Sequence, residues 1–404
     1  MIPKVEDHLK EIAARARLIM EREHIDALVA SSCENFYYLS GYPSTFMYTL
    51  RMQEVALALI FRNPNRKTIV IMNEFEAAGF PGNLPQSEVR TYPTWVDVDD
   101  PLGLKGVKFQ GKRPVVNQAK DMFGMLDQAL AEHGVTNGRI AAELSSMRYP
   151  SVAALRQAVG SLELVEASAI FNELRAVKTP WEIEQLRKSC AYAESGIAEA
   201  VHGIRMGSTA SEIVDAFRVA LMKHGDGSVS RFHMISVGAN FAPTHIFDTR
   251  AGEQGDLIKF DVGVDMAGYG SDIARTFALG SPSDMVKRIY HALRIGHDRL
   301  LHMVEPGMPM LSVFNEVMSL IRRSGLENYN RGHLGHSVGL SLAAEEPPFL
   351  SSSEGTIFRP GMVICLETPY YGYGVGSIMI EDMVLVTENG SERLNKLSRD
   401  LISL

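Results

Sequence analysis

The second half of the chain contains a weak internal repeat with a period of about one hundred residues. Residues 202–207 precede a helical pattern that runs to Gly225, and residues 302–307 precede a similar pattern that runs to Gly325. Each helical pattern leads into short apolar segments that are typical of β-strands. Because such a repeat means that one structural unit occurs twice, we expect two αβ halves related by a pseudo-two-fold axis.

Acidic residues occupy equivalent places in the two halves of this repeat. In each half an acid follows a glycine by six residues, and a second acid lies on the next predicted strand. The two sets are Gly255, Asp261 and Asp272 in the first half, and Gly361, Glu367 and Glu381 in the second. A pseudo-two-fold axis would bring the four carboxylates to one point, as in dinuclear sites whose metals lie about 3.5–4 Å apart.

The sequence around these acids is apolar, which makes simple surface or turn carboxylates a poor interpretation. Asp261 follows residues 257–260, Leu-Ile-Lys-Phe, and Glu367 follows residues 363–366, Val-Ile-Cys-Leu. Burying a carboxylate costs free energy unless another group compensates for its lost hydration. A pair of divalent ions would provide that compensation. His336, in a glycine-rich segment, is a candidate nitrogen ligand, and the alternative is a hydrogen-bonded loop histidine.

The first part of the chain has a different pattern, in which short apolar runs alternate with helical stretches. The runs at residues 27–30, 55–61 and 68–72 indicate strands, and residues 5–23 and 122–133 have helical spacing. This alternation indicates an α/β layer structure. A glycine-rich phosphate-binding loop is absent from this part of the sequence.

A domain boundary is expected near residue 172. Shortly after it, a threonine–proline pair at Thr179 with a glutamate three residues on forms a strong helix start. Apolar residues then keep helical spacing as far as Gly207. We therefore expect an α/β (α+β) protein of two domains, residues 1–171 and residues 172–404.

Composition excludes several classes of protein. The formal net charge of -8 argues against a nucleic-acid partner, which would require a basic face. The charged N-terminus is unlike a signal peptide, and no apolar stretch reaches the length of about 18 residues that a membrane span needs. The three cysteines share no close spacing, which favours a reducing compartment. We therefore expect a cytoplasmic protein. Cys365 is interpreted as a small core residue that points away from Leu366 and Glu367.

Five segments of the second half resemble the metal-binding motifs of the M24 or "pita-bread" superfamily, which includes aminopeptidase P, prolidase, methionine aminopeptidase and creatinase. The segments are Phe260–Gly263, Ser271–Thr276, Gly335–Leu340, Leu366–Pro369 and Ile380–Asp382. The resemblance covers most of the chain. It implies a C-terminal pseudo-two-fold pita-bread domain and an N-terminal creatinase/prolidase-like α/β domain, which methionine aminopeptidase lacks.

The resemblance also implies a set of metal ligands. Asp261 would chelate the first metal, Asp272 and Glu381 would bridge both, and His336 and Glu367 would complete the second. Oxygen-rich ligation with one imidazole suits Mn²⁺, while Co²⁺, Zn²⁺ and Fe²⁺ remain alternatives.

The family mechanism implied here is hydrolysis of an amide bond by a metal-activated water. Glu367 would take the proton from that water and pass it to the leaving nitrogen. His245 matches a family histidine that binds the substrate or assists the leaving group, and the alternative is a satisfied polar group. His333 lies three residues before His336, where the family often has a histidine four before its ligand, so a one-residue deletion would align it as a catalytic residue. Arg275 is interpreted as an ion-pair donor to the acidic cluster.

Two departures from the family pattern concern the substrate. Aminopeptidase P and prolidase usually carry a second histidine that stabilises the oxyanion, and its place here is taken by Ala343 or Glu345, depending on the alignment. Losing one such donor typically costs about 10²–10³ in rate. The family's arginine two residues before the bridging glutamate is replaced by Met379.

Three hypotheses follow from these observations. The first is a dinuclear hydrolase of the Xaa-Pro peptidase type that acts on a dipeptide or short peptide. The second is a metal-dependent hydrolase or lyase of a small non-peptide compound, and the third is a non-catalytic binding protein on the same fold. Relatives with this N-terminal domain are commonly dimers, so the resemblance implies a homodimer.

Overall fold

The computed structural model describes residues 4–81, 87–96, 100–103, 119–224, 229–239, 241, 250–340 and 342–404. The chain divides into two compact units, Met1–Leu174 and Arg175–Leu404. The division falls within one helix, Ser168–Ala176. The domain boundary expected after residue 171 also falls within this helix and stays a prediction. Among the described residues, no helix combines the length and the apolarity that crossing a membrane requires.

The N-terminal unit is built on a six-stranded mixed sheet with the order β4-β3-β2-β1-β5-β6. Strands β1, β2 and β3 are antiparallel neighbours, and β4, β5 and β6 join them in parallel. The elements are α1 (Val5–Arg22), β1 (Ala27–Ala30), α2 (Cys33–Ser40), α3 (Thr45–Tyr48), β2 (Ala56–Phe61), β3 (Thr68–Asn73), α4 (Glu74–Ala77), β4 (Ser87–Tyr92), α5 (Ala119–Glu132), β5 (Arg139–Ala142), α6 (Tyr149–Val159), β6 (Glu163–Glu166) and α7 (Ser168–Ala176).

The three central strands of this sheet are buried along their whole length. Strands covered on both faces consist of continuous apolar residues rather than an alternating pattern, which is why the runs at 27–30, 55–61 and 68–72 were recognisable in the sequence. The mixed α/β architecture expected for this part of the chain is confirmed.

The C-terminal unit contains four long helices and a large sheet. The elements are α8 (Pro180–His202), α9 (Ala210–His224), β7 (Val229–His233), β8 (Ser236–Val237), β9 (Leu257–Met266), β10 (Tyr269–Gly270), β11 (Ile273–Ala278), α10 (Asp284–Met303), α11 (Met310–Arg323), β12 (His333–Ser337), β13 (Glu346–Ser351), β14 (Val363–Glu367), β15 (Tyr370–Gly372), β16 (Gly376–Ile378), β17 (Glu381–Thr387), β18 (Gly390–Arg393) and β19 (Ile402–Ser403).

Helix α8 begins where the sequence predicts and ends earlier. Thr179 and Glu182 form a reciprocal capping box, in which each backbone N–H donates to the other side chain at 2.7 and 3.3 Å. The helix was expected to run to Gly207 but stops at His202. Two backbone N–H groups, at Gly203 and Ile204, turn back to carbonyls of the last turn, and Gly207 has a positive φ of 90°. The apolar spacing beyond His202 therefore belongs to a turn.

The sheet of this unit has the pseudo-two-fold arrangement that the repeat predicts. Strand β11 pairs with β17 at its centre, β9 and β14 lie outside these, and β7 and β12 lie next to β9 and β14. The two helix pairs match as well, because Gly196 of α8 and Gly296 of α10 are one hundred residues apart. A Cβ on Gly196 would lie 2.6 Å from Phe217 of α9, and one on Gly296 would lie 2.4 Å from Ile321 of α11. Both helix pairs therefore approach closely at a glycine, where a larger residue would require the facing side chain to shift.

Strand alternation separates the two faces of this sheet. Ile364 and Leu366 of β14 and Val384 of β17 join the apolar core beneath α10 and α11. Glu367 and Glu381 have odd residue numbers, whereas these three core residues have even ones. Because successive residues of a strand face opposite ways, the two glutamate side chains lie on the other face of the sheet. The fold thus keeps the core and the acidic residues on opposite sides of the same strands.

Candidate metal centre

Four acids form a compact row across the centre of the C-terminal sheet. Asp261 of β9 is paired with Ala274 of β11, Ala274 is paired with Glu381 of β17, and Glu381 is paired with Glu367 of β14. Asp272 lies two residues before Ala274 and so extends from the same face of that strand. All four acids are buried, with 0–7% of their surface exposed.

Two overlapping groups of side chains have the spacing of metal ligands. One donor atom from each of Asp261, Asp272 and Glu381 lies within 4.8 Å of the other two. His336, Cys365 and Glu381 form a second group with the same limit. Glu381 belongs to both groups, so it occupies the centre of the cluster.

The carboxylate oxygens at this centre lack protein partners. Among the residues that the structure describes, Asp272 Oδ1 and both Glu381 side-chain oxygens are buried without a hydrogen bond. Burial, followed by mutual repulsion with neighbouring carboxylates, raises the pKa of Asp272 and of Glu381 well above their usual values. Divalent cations would satisfy these oxygens and hold both groups as anions, so the residues present fit a metal pair.

His336 is oriented for ligation by its backbone surroundings. Its Nδ1 lies 3.0 Å from the carbonyl of Ser337, and a carbonyl can only accept, so Nδ1 carries the proton. Nε2 is then unprotonated and lies 3.7 Å from Asp272 Oδ2 and 3.6 Å from Glu381 Oε1. A hydrogen bond of this kind, which fixes the ring and its tautomer, is typical of metal-binding histidines.

Gly335 allows β12 to approach β14 at this point. A Cβ on Gly335 would lie 2.3 Å from the carbonyl oxygen of Cys365, which is a backbone atom that cannot move aside easily. The strand pairing is irregular on both sides of His336, consistent with a bulge that turns its ring toward the acids.

Glu367 is surrounded by two cationic or titratable side chains. His333 Nδ1 lies 3.1 Å from Glu367 Oε1, although the contact lacks hydrogen-bond alignment, and Arg331 Nη2 lies 3.4 Å from the same oxygen. Burial raises the pKa of Glu367, and the neighbouring Arg331 opposes this shift. Burial also lowers the pKa of His333, while Glu345, 3.6 Å from His333 Nε2, opposes that change.

Asp261 has a different neighbour, a buried lysine. Lys259 Nζ donates to Asp261 Oδ2 at 2.9 Å, and only 2% of Lys259 is exposed. Lys259 is paired across the sheet with Thr276, whose hydroxyl accepts a hydrogen bond from Met379 N at 2.8 Å. The sequence contained a signal for Lys259, because a lysine inside an apolar strand two residues from a buried acid requires a partner.

Two interpretations of individual residues need correction. Arg275 was expected to pair with the acidic cluster, but its ion pair is with Asp382 on the helix-facing side of the sheet. Odd and even residues of a strand face opposite ways, so Arg275 is on the other face from Ala274. Cys365 was placed away from Glu367, yet these residues are two apart and share a face, and Cys365 Sγ belongs to the ligand-spaced group described above.

Comparisons with known proteins agree with this architecture. The model of "Metallopeptidase family M24" matches residues 184–388, and that of "Creatinase/Prolidase N-terminal domain" matches residues 13–177. The chain belongs to metallopeptidase family M24. It is therefore a hydrolase of the metal-dependent class, with the pita-bread fold and the N-terminal creatinase-like domain that its sequence predicts.

Named relatives match this chain over most of its length or over its larger part. An Xaa-Pro dipeptidase from Pyrococcus horikoshii is 26% identical over 398 residues, 98% of this chain and 100% of the relative. An Xaa-Pro dipeptidase from Pyrococcus furiosus is 30% identical over 258 residues, 64% of this chain and 74% of the relative. The crystal structure of the prolidase from Pyrococcus horikoshii OT3 matches with a TM-score of 0.76 at 25% identity, covering 97% of this chain and 100% of the other.

The described structure places the two departures from the M24 pattern. Glu345 faces His333, whereas Ala343 is exposed and uses its carbonyl to accept from Arg231. Glu345 therefore approaches the acidic cluster through His333. Met379 is buried and adjoins Tyr371, whose hydroxyl lies 3.9 Å from its sulfur. His245 lies outside the described residues, and its predicted role stays a prediction.

Proposed function

We propose that this M24 hydrolase is an Xaa-Pro dipeptidase that uses two divalent ions. Asp261, Asp272, His336, Glu367 and Glu381 would hold the ions. The observation that carries the metal pair is the set of oxygens on Asp272 and Glu381 that are buried without a hydrogen-bond partner among the described residues, and that adjacent cations would satisfy. The named Pyrococcus relatives support the substrate class, since both are Xaa-Pro dipeptidases.

When bound, two ions would supply a water of lowered pKa and would polarise the scissile carbonyl. Within this chain, Glu367 is the carboxylate proposed to accept a proton and return it to the leaving nitrogen, because burial raises its pKa and His333 Nδ1 lies 3.1 Å from its Oε1. His333 lies beside Glu367 and would orient it or share its proton. His245 would contact the substrate, as the sequence predicts.

Mn²⁺ is the proposed metal, because the ligand set has four carboxylates, one imidazole and no protein thiolate. The thiol of Cys365 lies close, but burial raises its pKa well above its usual value, and it donates to the carbonyl of Asp272 at 3.5 Å. Because its thiol is engaged in this hydrogen bond, Cys365 is left out of the proposed ligand set. We also propose a cytoplasmic homodimer without a nucleic-acid or membrane partner.

A second candidate function is hydrolysis or lysis of a small non-peptide compound at the same metal pair. Glu345 beside His333 favours it, since a carboxylate in this place cannot stabilise an oxyanion. Met379 adds to this argument, because its side chain offers no charge for a substrate carboxylate.

A panel of Xaa-Pro dipeptides, assayed with purified protein after Mn²⁺ reconstitution, tests the proposal. We expect turnover of several Xaa-Pro dipeptides and none of matched Xaa-Ala dipeptides. Loss of all activity across the panel despite two bound ions would favour the non-peptide substrate. Absence of bound metal after reconstitution would favour the third hypothesis, a non-catalytic binding protein.

A further inference from the structure

A pocket opens beside Arg331, whose Nη2 lies 3.4 Å from Glu367 Oε1. It is formed by residues 325–331 and 369–371 and has a volume of about 540 Å³. Pockets of about 300–1,000 Å³ accommodate small molecules. Arg331 both lines this pocket and contacts Glu367, so its guanidinium connects the pocket with one of the proposed metal ligands.

The walls of the pocket are held by hydrogen bonds that do not involve a ligand. The hydroxyl of Tyr329 donates to the carbonyl of Pro369 at 2.9 Å, which joins the two wall segments. Arg322 Nε, from helix α11, donates to the carbonyl of Tyr329 at 2.8 Å. Tyr329 is only 7% exposed, so these contacts fix the backbone from which Arg331 extends. The pocket is thus formed before a ligand enters.

The guanidinium of Arg331 has a hydrogen-bond donor that lacks an acceptor among the described residues. Its side chain is 25% exposed, and Nη2 has one contact, at 3.4 Å, with Glu367. Among the residues that the structure describes, Arg331 Nε is buried without a hydrogen-bond partner. A buried donor without a partner is rare in folded proteins and points to a missing ligand. The planar fork of a guanidinium is suited to a carboxylate, which it can bind through two N–H groups.

The other cations near the cluster are already committed. Lys259 donates to Asp261 and is 2% exposed, which leaves it no access to the pocket. Arg231 pairs with Asp265 and with the carbonyls of Gly339 and Ala343. Of these three cations, Arg331 is the one that lines the pocket and keeps a buried N–H without a partner within the described chain.

We propose that Arg331 binds the free carboxylate at the C-terminal end of the substrate. This inference rests on the proposed function and deepens it, because it explains how the site would select dipeptides over longer or blocked peptides. When cations share the charge of Glu367, the Arg331 guanidinium is left to pair with the substrate. Arg331 therefore supplies the anion recognition that Met379 cannot.

The test compares two substrates on three proteins. An Xaa-Pro dipeptide and its C-terminal amide are assayed with the wild type, Arg331→Gln and Arg323→Gln. Arg323 is the matched control, since it lies on the exposed end of α11 and pairs with Ser319 and Glu316 of the same helix. We expect the wild type and Arg323→Gln to prefer the free acid in kcat/KM by roughly 10- to 100-fold, the scale of one charge-assisted hydrogen-bond pair.

In Arg331→Gln the ratio of acid to amide should fall close to one, with the change mainly in KM for the acid. If Arg331 served only to hold Glu367, both substrates would lose activity by the same factor and the ratio would persist, which contradicts the proposal. A wild type that hydrolyses both substrates without preference contradicts it as well.

A binding measurement separates this inference from the proposed function. Calorimetric titration of the Mn²⁺-loaded wild type with proline and with prolinamide requires no turnover. We expect proline to bind roughly 10- to 100-fold more tightly than prolinamide, and Arg331→Gln to remove this difference. If no Xaa-Pro substrate is hydrolysed but this difference appears, the dipeptidase assignment fails while the carboxylate site stands. Equal binding of proline and prolinamide by the wild type overturns the carboxylate site.

Discussion

The two halves of the C-terminal sheet share one frame and differ in what surrounds it. Asp261 and Asp272 in the first half correspond to Glu367 and Glu381 in the second. Two residues before Asp261 the first half carries Lys259, and two residues before Glu367 the second half carries Cys365. The acids therefore occupy equivalent positions in the two halves. Their neighbours, Lys259 and Cys365, differ, so the electrostatic surroundings of the acids differ between the halves.

The second half also carries the groups that surround Glu367. Arg331, His333 and Glu345 approach Glu367, directly or through one another, while Asp261 has the buried ammonium of Lys259. Under the proposed function, the four repeated acids would hold the metals and the second half would bind the substrate. Each of the following experiments compares a position in one half with its counterpart or with a neutral control.

The largest effect is expected from removing a central acid in either half. Asp272→Ala and Glu381→Ala should each lower kcat by about 10³-fold or more, the scale of losing a key electrostatic stabiliser, and should reduce bound metal below two ions per chain. Elemental analysis and kinetics would measure both. Asp298→Ala, at a half-exposed acid of α10, is the control and should remain within about twofold. Wild-type turnover by Asp272→Ala would refute its assignment as a bridging ligand.

Lys259→Met and Cys365→Ala change equivalent positions of the two halves, of which only Lys259 is charged and paired with an acid. Removing the lysine leaves Asp261 buried without its cation, which should cost about 3–5 kcal/mol in the unfolding free energy of the metal-free protein. Cys365→Ala should cost about 1 kcal/mol. Denaturant unfolding with and without Mn²⁺ checks this, because added metal should recover most of the loss in Lys259→Met. Equal losses of unfolding free energy in the two variants would mean that the Lys259–Asp261 ion pair does not stabilise the metal-free protein.

His297, in the second half, should make the unfolding free energy decrease at acidic pH. Burial lowers the pKa of His297 to about 4, and its counterpart one hundred residues earlier is the apolar Ile197. Above pH 6.5 the imidazole is neutral in both the folded and the unfolded state. As the pH falls from 6.5 toward 4, His297 becomes protonated in the unfolded chain but stays neutral in the folded protein. The unfolding free energy therefore decreases by up to about 3 kcal/mol.

Calorimetric unfolding between pH 7.5 and 4.5 of the wild type and His297→Leu isolates this contribution. The difference in unfolding free energy between the two proteins should shrink as the pH falls. A difference that stays constant over this range would show that His297 is not held neutral.

The smallest effect is expected at the close approach of β12 to β14. Gly335→Ala should lose about 1–3 kcal/mol, because its Cβ meets a backbone carbonyl, and should weaken metal binding by displacing His336. Gly332→Ala is the control, since a Cβ there would meet no described atom within 4 Å. Thermal unfolding and Mn²⁺ titration measure the two properties. A Gly335→Ala protein that behaves like Gly332→Ala would show that the strand can relax.

Much of this architecture is encoded locally and was therefore predictable. Glycine and acid spacing marked the repeat, and buried acids inside apolar strands marked the site, because both features depend on residues close in the sequence. Gly196 and Gly296, one hundred residues apart, are a further sign of the repeat, in addition to the spacing of glycines and acids. The end of α8 at His202 was missed because apolar spacing continued past the turn.

The surroundings of Glu367 could not be read from the sequence in the same way. Arg331 and Glu345 come from segments whose approach depends on the pairing of β12 with β13 and β14. The pocket joins two segments through the contact of Tyr329 with Pro369, which are forty positions apart in the sequence. Cys365 was a different failure, since the two-residue alternation of a strand already places it on the face of Glu367.

Crystallography of the Mn²⁺-loaded protein with anomalous data at the manganese edge tests the central claim most directly. The account predicts two peaks about 3.5–4 Å apart, with Asp272 and Glu381 between them. A single ion, or peaks away from the row formed by Asp261, Glu381 and Glu367, would contradict it.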